Sequence, residues 1–257
     1  MQGKGHGTEP SKSPDASAEG AKHRTLGGRS PHSLDASAEG AKHRTLGGRS
    51  PRYSSHMPAT DDEIQEKYLE RAIRELNRLT HDLQDCTGCP RGSLMPVLGS
   101  GHPQADVFLL KFAPATSEIE EGVAFYGRSG GALMKSFKRL GIDPLAVYGT
   151  LCVKCPVGDP DQAAAECVAR VVEEIAVVQP RIVVVMGERA LVTLNELVLP
   201  LSRRLEPRLG EIQSLTPSID ALYVPDIDGA LDEQQAKQEF WAAFRPLGDW
   251  YARQPPY

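Results

Sequence analysis

The chain of 257 residues is long enough for one or two domains, and its formal net charge of −5 is unevenly distributed. Residues 1–55 carry nine Lys or Arg against five Asp or Glu, whereas the remainder carries 20 against 29. An acidic body disfavours non-specific binding to duplex nucleic acid, although it is compatible with a local basic cleft. We expect no membrane span, because no run of about 18 apolar residues occurs, and no secretory signal, because the N-terminus lacks an apolar segment.

Residues 1–56 contain a tandem repeat of 20-residue period, in which segment 15–31 recurs unchanged as 35–51. Each copy has one large aliphatic residue, Leu26 or Leu46, so the repeat cannot bury a core. Gly, Ser, Pro and charged residues dominate, which predicts a disordered tail. Two other interpretations stay open: a basic tail that touches nucleic acid, and sequence upstream of a start at Met57. We predict one folded domain over residues 57–257.

After Met57 the pattern predicts alternating helices and strands. An amphipathic helix begins at Asp61 and continues to Cys86. The predicted strands are 106–112, 146–153, 181–186 and 221–224, and the later predicted helices are 131–140, 162–178, 187–197 and 232–247. This order predicts a three-layer α/β/α sandwich around a central, mostly parallel four-stranded sheet. Functional residues in such folds lie at the carboxyl ends of the strands, here 111–115, 153–155, 186–188 and 224–226.

Four of the five cysteines stand in positions that favour metal ligation. Cys86 and Cys89 form a Cys-x-x-Cys pair after the first helix, Cys155 follows a predicted strand, and Cys167 opens a predicted helix. Four thiolates predict a [4Fe–4S] cluster. Zinc is the rival metal, because it also binds four thiolates, and buried free thiols are the remaining alternative. Cys152, inside an apolar strand, is predicted to be a core thiol. Cysteine used for ligation rather than for disulfides fits a reducing cytoplasm.

Three further segments have recognisable motifs. Segment 111–115 reads Lys-Phe-Ala-Pro-Ala and is followed by Phe125-Tyr-Gly-Arg-Ser-Gly130, segment 150–155 reads Thr-Leu-Cys-Val-Lys-Cys, and segment 180–187 reads Pro-Arg-Ile-Val-Val-Val-Met-Gly. Together with the four cysteines, these motifs resemble the iron–sulfur branches of the uracil-DNA glycosylase superfamily over residues 83–245. The resemblance implies a monomeric DNA-repair protein that carries a [4Fe–4S] cluster. It also implies that the protein binds or excises a damaged or deaminated base in single-stranded or lesion-containing DNA.

The resemblance also implies roles for individual residues. Phe125 corresponds to the position on which the flipped base stacks in the family. The expected base-binding residues are Phe125, Ala113, Pro114 and Leu151, and the expected contacts to the DNA backbone are Gly127, Gly130 and Lys154.

Departures from the family pattern affect the predicted chemistry. The family's water-activating Glu corresponds to Phe112, its base-reading Asn to Leu151, and the His of its late motif to Val224. Excision needs a group that reads the base, a donor to the leaving base and a positioned water. The catalytic residues are therefore unknown, with Glu118 and Asp226 as candidates for a glycosidic-bond hydrolase. The alternative is an inactive iron–sulfur protein that keeps the fold to bind nucleic acid or a partner.

Overall fold

A computed structural model describes residues 60–255 of the chain. The predicted tail and its repeat lie outside the described residues. The helices and strands within this range, in chain order, are α1 Asp61–Gln84, β1 Ser100–Gly101, β2 Val107–Lys111, α2 Thr116–Glu121, α3 Arg128–Leu140, β3 Val147–Leu151, α4 Ala165–Val178, β4 Ile182–Met186, α5 Glu188–Glu196, β5 Ile212–Thr216, β6 Ile219–Val224, α6 Ile227–Ala230, α7 Gln234–Phe244 and α8 Pro246–Ala252. Short 3-10 helices cover Pro144–Ala146 and Pro160–Gln162.

The strands form one sheet in the order β1-β3-β2-β4-β6-β5. The inner strands β3, β2, β4 and β6 are parallel, and the edge strands β1 and β5 are antiparallel to their neighbours. Lys111 is in register with Leu151 and Met186, and Met186 is in register with Val224. The carboxyl ends of the four predicted strands therefore meet at one edge of the sheet.

The predicted mixed α/β fold with a mostly parallel sheet is confirmed, but the predicted number of strands is wrong. The sheet has six strands rather than four. The two additional strands, β1 and β5, lie at its edges and were not predicted from the sequence. β1 has only two residues, and β5 reads Ile-Gln-Ser-Leu-Thr with its first three residues not buried. A short or half-polar edge strand lacks the apolar run by which a buried strand is recognised.

The helices of the structure differ from the predicted ones in two respects. The predicted closing helix 232–247 is divided into α7 and α8 at Pro246, whose ring nitrogen cannot donate the hydrogen bond that a continuous helix requires. The short helices α2 and α6 were not predicted. Helix α1 begins as expected, since Thr60 and Glu63 form a reciprocal pair of side-chain to backbone hydrogen bonds at its start.

Side chains of β2 alternate between two apolar layers, as the pleat of a strand requires. Val107 and Leu109 pack with residues of α3, α7 and α8, whereas Phe108 and Leu110 pack with residues of α4 and α5. The sheet is thus covered on both faces, which gives the predicted three layers. Within residues 60–255, no helix combines the length and apolar character that crossing a bilayer requires.

Candidate metal centre and strand-end site

Three cysteines that are distant in sequence meet in one buried group. The sulfur atoms of Cys89, Cys155 and Cys167 all lie within 4.8 Å of one another, and no His, Asp or Glu of the described residues belongs to this group. The Sγ atoms of Cys155 and Cys167 are 3.9 Å apart. The apolar residues packed against the group are Val157, Ala163 and Ala164. A buried donor set made only of thiols fits a metal or cluster that prefers sulfur.

The fourth predicted ligand lies beside this group rather than in it. Cys86 is half-buried and follows the end of α1, on the same loop as Cys89. Arg91 fixes this loop, because its Nη2 donates to the carbonyl oxygens of Gln84 at 2.8 Å and Cys86 at 3.0 Å. The sequence analysis did not predict this role of Arg91. Its position two residues after the Cys-x-x-Cys pair is the sequence feature that could have indicated it.

Neighbouring groups set the charge of the thiols unequally. The pKa of Cys167 is lowered to about 5, first by its contact with Cys155 and then by nearby backbone N–H groups and the Lys154 ammonium. The pKa of Cys155 is raised by the same contact and by burial, and burial also raises the pKa of Cys89. The N–H of Ala164 donates to the Cys89 sulfur at 3.3 Å. A bound cation would shift all the ligands toward the thiolate form that metals require.

Cys152 has the environment of a core residue. It is fully buried in the apolar layer that contains α4 and α5 and stands apart from the three clustered thiols. Burial raises the pKa of its thiol to about 12. It is therefore a protonated packing residue at neutral pH, as its apolar strand suggested.

At the carboxyl end of β2, the ammonium of Lys111 is enclosed by two carboxylates. Its Nζ lies 2.7 Å from Glu118 Oε2 and 2.5 Å from Asp228 Oδ2. The side chains of Lys111 and Glu118 are 1% and 0% exposed, whereas that of Asp228 is 37% exposed. Sequence reasoning missed Lys111 and Asp228 as site residues. A lysine that ends a fully buried strand is a signal, since lysine is rarely buried without a partner.

Glu118 also holds the loop that precedes α3. Its Oε2 accepts a hydrogen bond from the Ala115 N–H at 2.7 Å, and its Oε1 accepts one from the Phe125 N–H. Together with the Lys111 ammonium, these donors occupy both carboxylate oxygens. The structure thus places this predicted catalytic candidate in the interior, where its side chain is 0% exposed and holds the loop rather than facing solvent.

Phe125 is held in an unusual conformation. Its φ angle is 59°, in the left-handed region that residues other than glycine rarely adopt. Its ring packs over Gly149 of β3 so closely that a Cβ atom at Gly149 would lie 2.5 Å from Phe125 Cδ2. The Lys111 Nζ is 5.5 Å from the ring centroid, within range of a cation–π contact. The half-buried ring is therefore fixed beside the ends of the parallel strands.

The remaining predicted base-binding and backbone-contacting residues lie on three different segments of the fold. Leu151 is fully buried in a small apolar cluster that also contains Val97 and Ala124 and against which Phe125 packs. Ala113 and Pro114 are half-buried in the turn between β2 and α2. Gly127, with φ of 87°, is the residue immediately before α3, and Gly130 lies in its first turn.

Lys154 occupies a place different from the one predicted. It is 1% exposed, its Nζ lies 2.9 Å from Glu174 Oε2, and it donates to the Leu151 carbonyl at 2.8 Å. Tyr148 and Thr150 donate to the other Glu174 oxygen at 3.2 and 3.1 Å. This internal ion pair corrects the predicted contact between Lys154 and the DNA backbone, because the ammonium is not at the surface where a phosphate would lie.

Phe112 and Asp226 complete the predicted set. Phe112 packs on the opposite face of the sheet from Lys111, and the Arg189 guanidinium lies 3.9 Å from its ring centroid. No carboxylate therefore stands where the family resemblance places the water-activating Glu. Asp226 is the residue immediately before α6, and its Oδ1 accepts from the Asp228 N–H at 2.9 Å, which is a helix-capping role.

The chain thus combines a mostly parallel sheet between two helical layers, an aromatic ring at the strand ends and a buried group of thiols. A family model described as the uracil DNA glycosylase superfamily matches residues 98–245, more than half of the chain. The chain belongs to this superfamily.

Relatives named type-4 uracil-DNA glycosylase come from three microbes. The Pyrobaculum aerophilum protein is 29% identical over 147 residues, which cover 54% of this chain and 72% of the relative. The Archaeoglobus fulgidus protein is 21% identical over 193 residues, which cover 72% of this chain and 97% of the relative. The Sulfurisphaera tokodaii protein is 28% identical over 124 residues, which cover 45% of this chain and 56% of the relative.

Proposed function

We propose that this protein acts in DNA repair by binding a base turned out of single-stranded or lesion-containing DNA, with the base stacked on Phe125. The observation that carries the proposal is the fixed position of this ring at the strand ends, with a strained φ of 59° and a glycine beneath it. Backbone strain of this kind is concentrated at functional sites. The proposed functional unit is the domain at 57–257.

Stacking provides a physical basis for this binding. Extraction of a base from a duplex costs a few kcal/mol, and stacking on one aromatic ring offsets about 1–3 kcal/mol of that cost. Gly127 and Gly130 lie at the start of α3, directly after the Phe125 loop. Backbone N–H groups at such a helix start would favour a DNA phosphate next to the stacked base.

Uracil excision by this protein is proposed to be absent or very slow. Phe112, Leu151 and Val224 occupy the positions of three polar family residues, and both Glu118 oxygens are engaged. Loss of one preorganised donor lowers a rate about 10²–10³-fold, and the effects of several losses need not add. If excision occurs, Asp226 is the candidate base, because its side chain is exposed and the hydrogen bond that caps α6 is accepted by Oδ1.

The proposed cofactor is a [4Fe–4S] cluster held by Cys86, Cys89, Cys155 and Cys167, with zinc as the alternative. The buried group of Cys89, Cys155 and Cys167 supports three of these ligands, and Cys86 is on the same loop as Cys89. Iron–sulfur clusters are ordinarily held by four cysteines. The cluster would tie the loop after α1 to β3 and α4. Its proposed contribution is to hold these segments together beside the site.

Metal analysis and absorbance test the cofactor. Protein isolated without oxygen should be brown and contain iron and sulfide. Cys155→Ser should remove the colour, whereas the matched control Cys152→Ala should retain it, because Cys152 lies outside the thiol group. A colourless protein with stoichiometric zinc would refute the iron–sulfur assignment.

Binding and product analysis test the function. Purified protein is mixed with single-stranded oligonucleotides that contain uracil, xanthine or hypoxanthine, and both affinity and abasic-site formation are measured. Phe125→Ala should weaken binding about tenfold, in line with the loss of one stacking contact. Glu120→Ala, an exposed residue of α2, is the control. Binding that Phe125→Ala leaves unchanged would contradict the proposal, and robust uracil release would contradict the expectation of weak catalysis.

A further inference from the structure

We propose that Lys111 and Asp228 together read the edge of the base that stacks on Phe125. The edge that they select is a lactam, in which a ring carbonyl stands beside a ring N–H. This inference rests on the proposed binding of a base on Phe125. It assigns specificity to a charged pair at a site where Leu151 provides no polar group.

The position of the Lys111 ammonium suits a base on this ring. Its Nζ lies 5.5 Å from the centroid of the Phe125 ring, so the edge of a stacked base falls within its reach. An ammonium has three N–H donors. The ion pairs with Glu118 and Asp228 use two of them, which leaves one for the carbonyl oxygen of a base.

The two carboxylates around Lys111 differ in accessibility. Glu118 is completely buried and also accepts from two backbone N–H groups. Asp228 has a 37% exposed side chain on the four-residue helix α6. Of the three charged side chains, Asp228 is thus the one that solvent reaches. An ionised carboxylate only accepts hydrogen bonds. Asp228 therefore provides a solvent-accessible acceptor next to the donor of Lys111.

A donor beside an acceptor matches the order of groups on a lactam edge. The base carbonyl accepts from Lys111 and the adjacent ring N–H donates to Asp228. Uracil and hypoxanthine carry this edge, whereas cytosine and adenine present an amino group and a bare ring nitrogen in the reverse order in the same pose. A side-chain amide can exchange its donor and acceptor by flipping, but a lysine and an aspartate cannot. The pair therefore favours a deaminated base over its amino parent, since the wrong base leaves buried polar groups unpaired.

The net charge of the group supports a neutral base edge as its ligand. One ammonium faces two carboxylates, so Lys111, Glu118 and Asp228 together are negative. A DNA phosphate brought to this group would be repelled by the excess carboxylate. The site thus suits an uncharged ligand that offers both an acceptor and a donor.

Fluorescence anisotropy with single-stranded oligonucleotides tests this inference. The oligonucleotides consist of adenines with one central uracil or cytosine, on 2′-fluoro sugars that resist glycosidic hydrolysis. The unmodified chain should bind the uracil oligonucleotide about tenfold more tightly, the lower end of the range for a matched bidentate contact. Asp228→Asn should abolish most of this difference, and Lys111→Met combined with Glu118→Gln should abolish all of it. The control Asp232→Asn, another exposed aspartate paired with a cation, should keep the difference.

The possible outcomes separate the inference from the function on which it rests. Binding that depends on Phe125, without a preference for uracil or with a preference that survives Asp228→Asn, would overturn the role of the pair but leave base binding intact. Binding that Phe125→Ala does not affect would overturn both. Circular dichroism and the visible absorbance of each variant check the fold, and Asp228→Asn keeps the test decisive if the double variant does not fold, because Asp228 lies at the surface.

Discussion

Glu118 shows how one buried carboxylate organises the strand-end site. It accepts from the N–H groups at both ends of the α2 segment, those of Ala115 and Phe125, and pairs with the ammonium of Lys111. Burial of an unpaired polar or charged group is strongly unfavourable, and these donors offset that cost. The result is a turn in which Phe125 is held in its strained conformation.

Replacement of Glu118 by glutamine should destabilise the protein. Glu118→Gln keeps the shape of the side chain but removes one of the two carboxylates that pair with the buried Lys111 ammonium. The ion pair with Asp228 remains. We expect a loss of about 3 kcal/mol in the free energy of unfolding, the lower end for breaking a buried ion pair, measured by urea denaturation. Glu120→Gln, on the exposed side of α2, should change it by less than about 0.5 kcal/mol. Equal effects of the two substitutions would show that the buried pair contributes little.

Tyr148 makes the stability of the protein sensitive to alkaline pH. Burial, with the nearby Glu174 carboxylate, raises the pKa of its hydroxyl well above the usual value. Above pH about 10 the unfolded chain loses this proton while the folded chain keeps it, so the free energy of unfolding falls by up to ~1.4 kcal/mol per pH unit. Tyr148→Phe should make this fall shallower in denaturation measured between pH 9 and pH 11. An unchanged slope would mean that Tyr148 ionises in the folded state.

At the scale of elements, β3 connects the two candidate sites. Gly149 lies beneath the Phe125 ring, Leu151 ends the strand in the apolar cluster beside it, and Cys155 follows four residues later. A shift of this strand would therefore displace both the Phe125 ring and the thiol of Cys155. The tight contact at Gly149 is where a small change tests this arrangement.

Gly149→Ala should displace the Phe125 ring and weaken binding to DNA. The added Cβ would lie 2.5 and 2.8 Å from two ring carbons, so the ring has to move. We expect an affinity loss of about tenfold, similar to that of Phe125→Ala, because the stacking surface is lost. The control is Gly158→Ala, where an added Cβ meets no atom within 4 Å. The role of the glycine would be refuted if Gly149→Ala bound a lesion oligonucleotide as well as the unmodified chain does.

Prediction of elements succeeded where apolar residues formed long runs. Ile182–Met186 is completely buried on both faces and was recognised from its uninterrupted β-branched and apolar sequence. The short helix α6 and strand β1 offer too few residues for a period to emerge. Their positions depend on packing against the rest of the sheet rather than on local pattern.

At the scale of the whole molecule, the repeat-bearing segment should be dispensable. The superfamily match lies within residues 98–245, and the composition of 1–56, rich in Gly, Ser, Pro and charged residues, predicts no packed core of its own. A chain that begins at Met57 should keep the thermal midpoint, the visible absorbance and the oligonucleotide affinity of the full chain. A clear fall in any of the three would show that the first 56 residues contribute to the folded domain or to its binding.

The sequence alone determined the layered α/β fold, the edge of the sheet at which the candidate site residues lie and the four candidate thiols. These follow from periodicity and from cysteine spacing, which are local in the chain. Only the tertiary structure revealed the Lys111–Glu118–Asp228 group and the burial of Lys154 beside Glu174, because their partners are distant in sequence: Lys111 and Asp228 are 117 positions apart. Whether a charged side chain faces solvent or an internal partner depends on which elements pack against it, and local pattern does not contain that information.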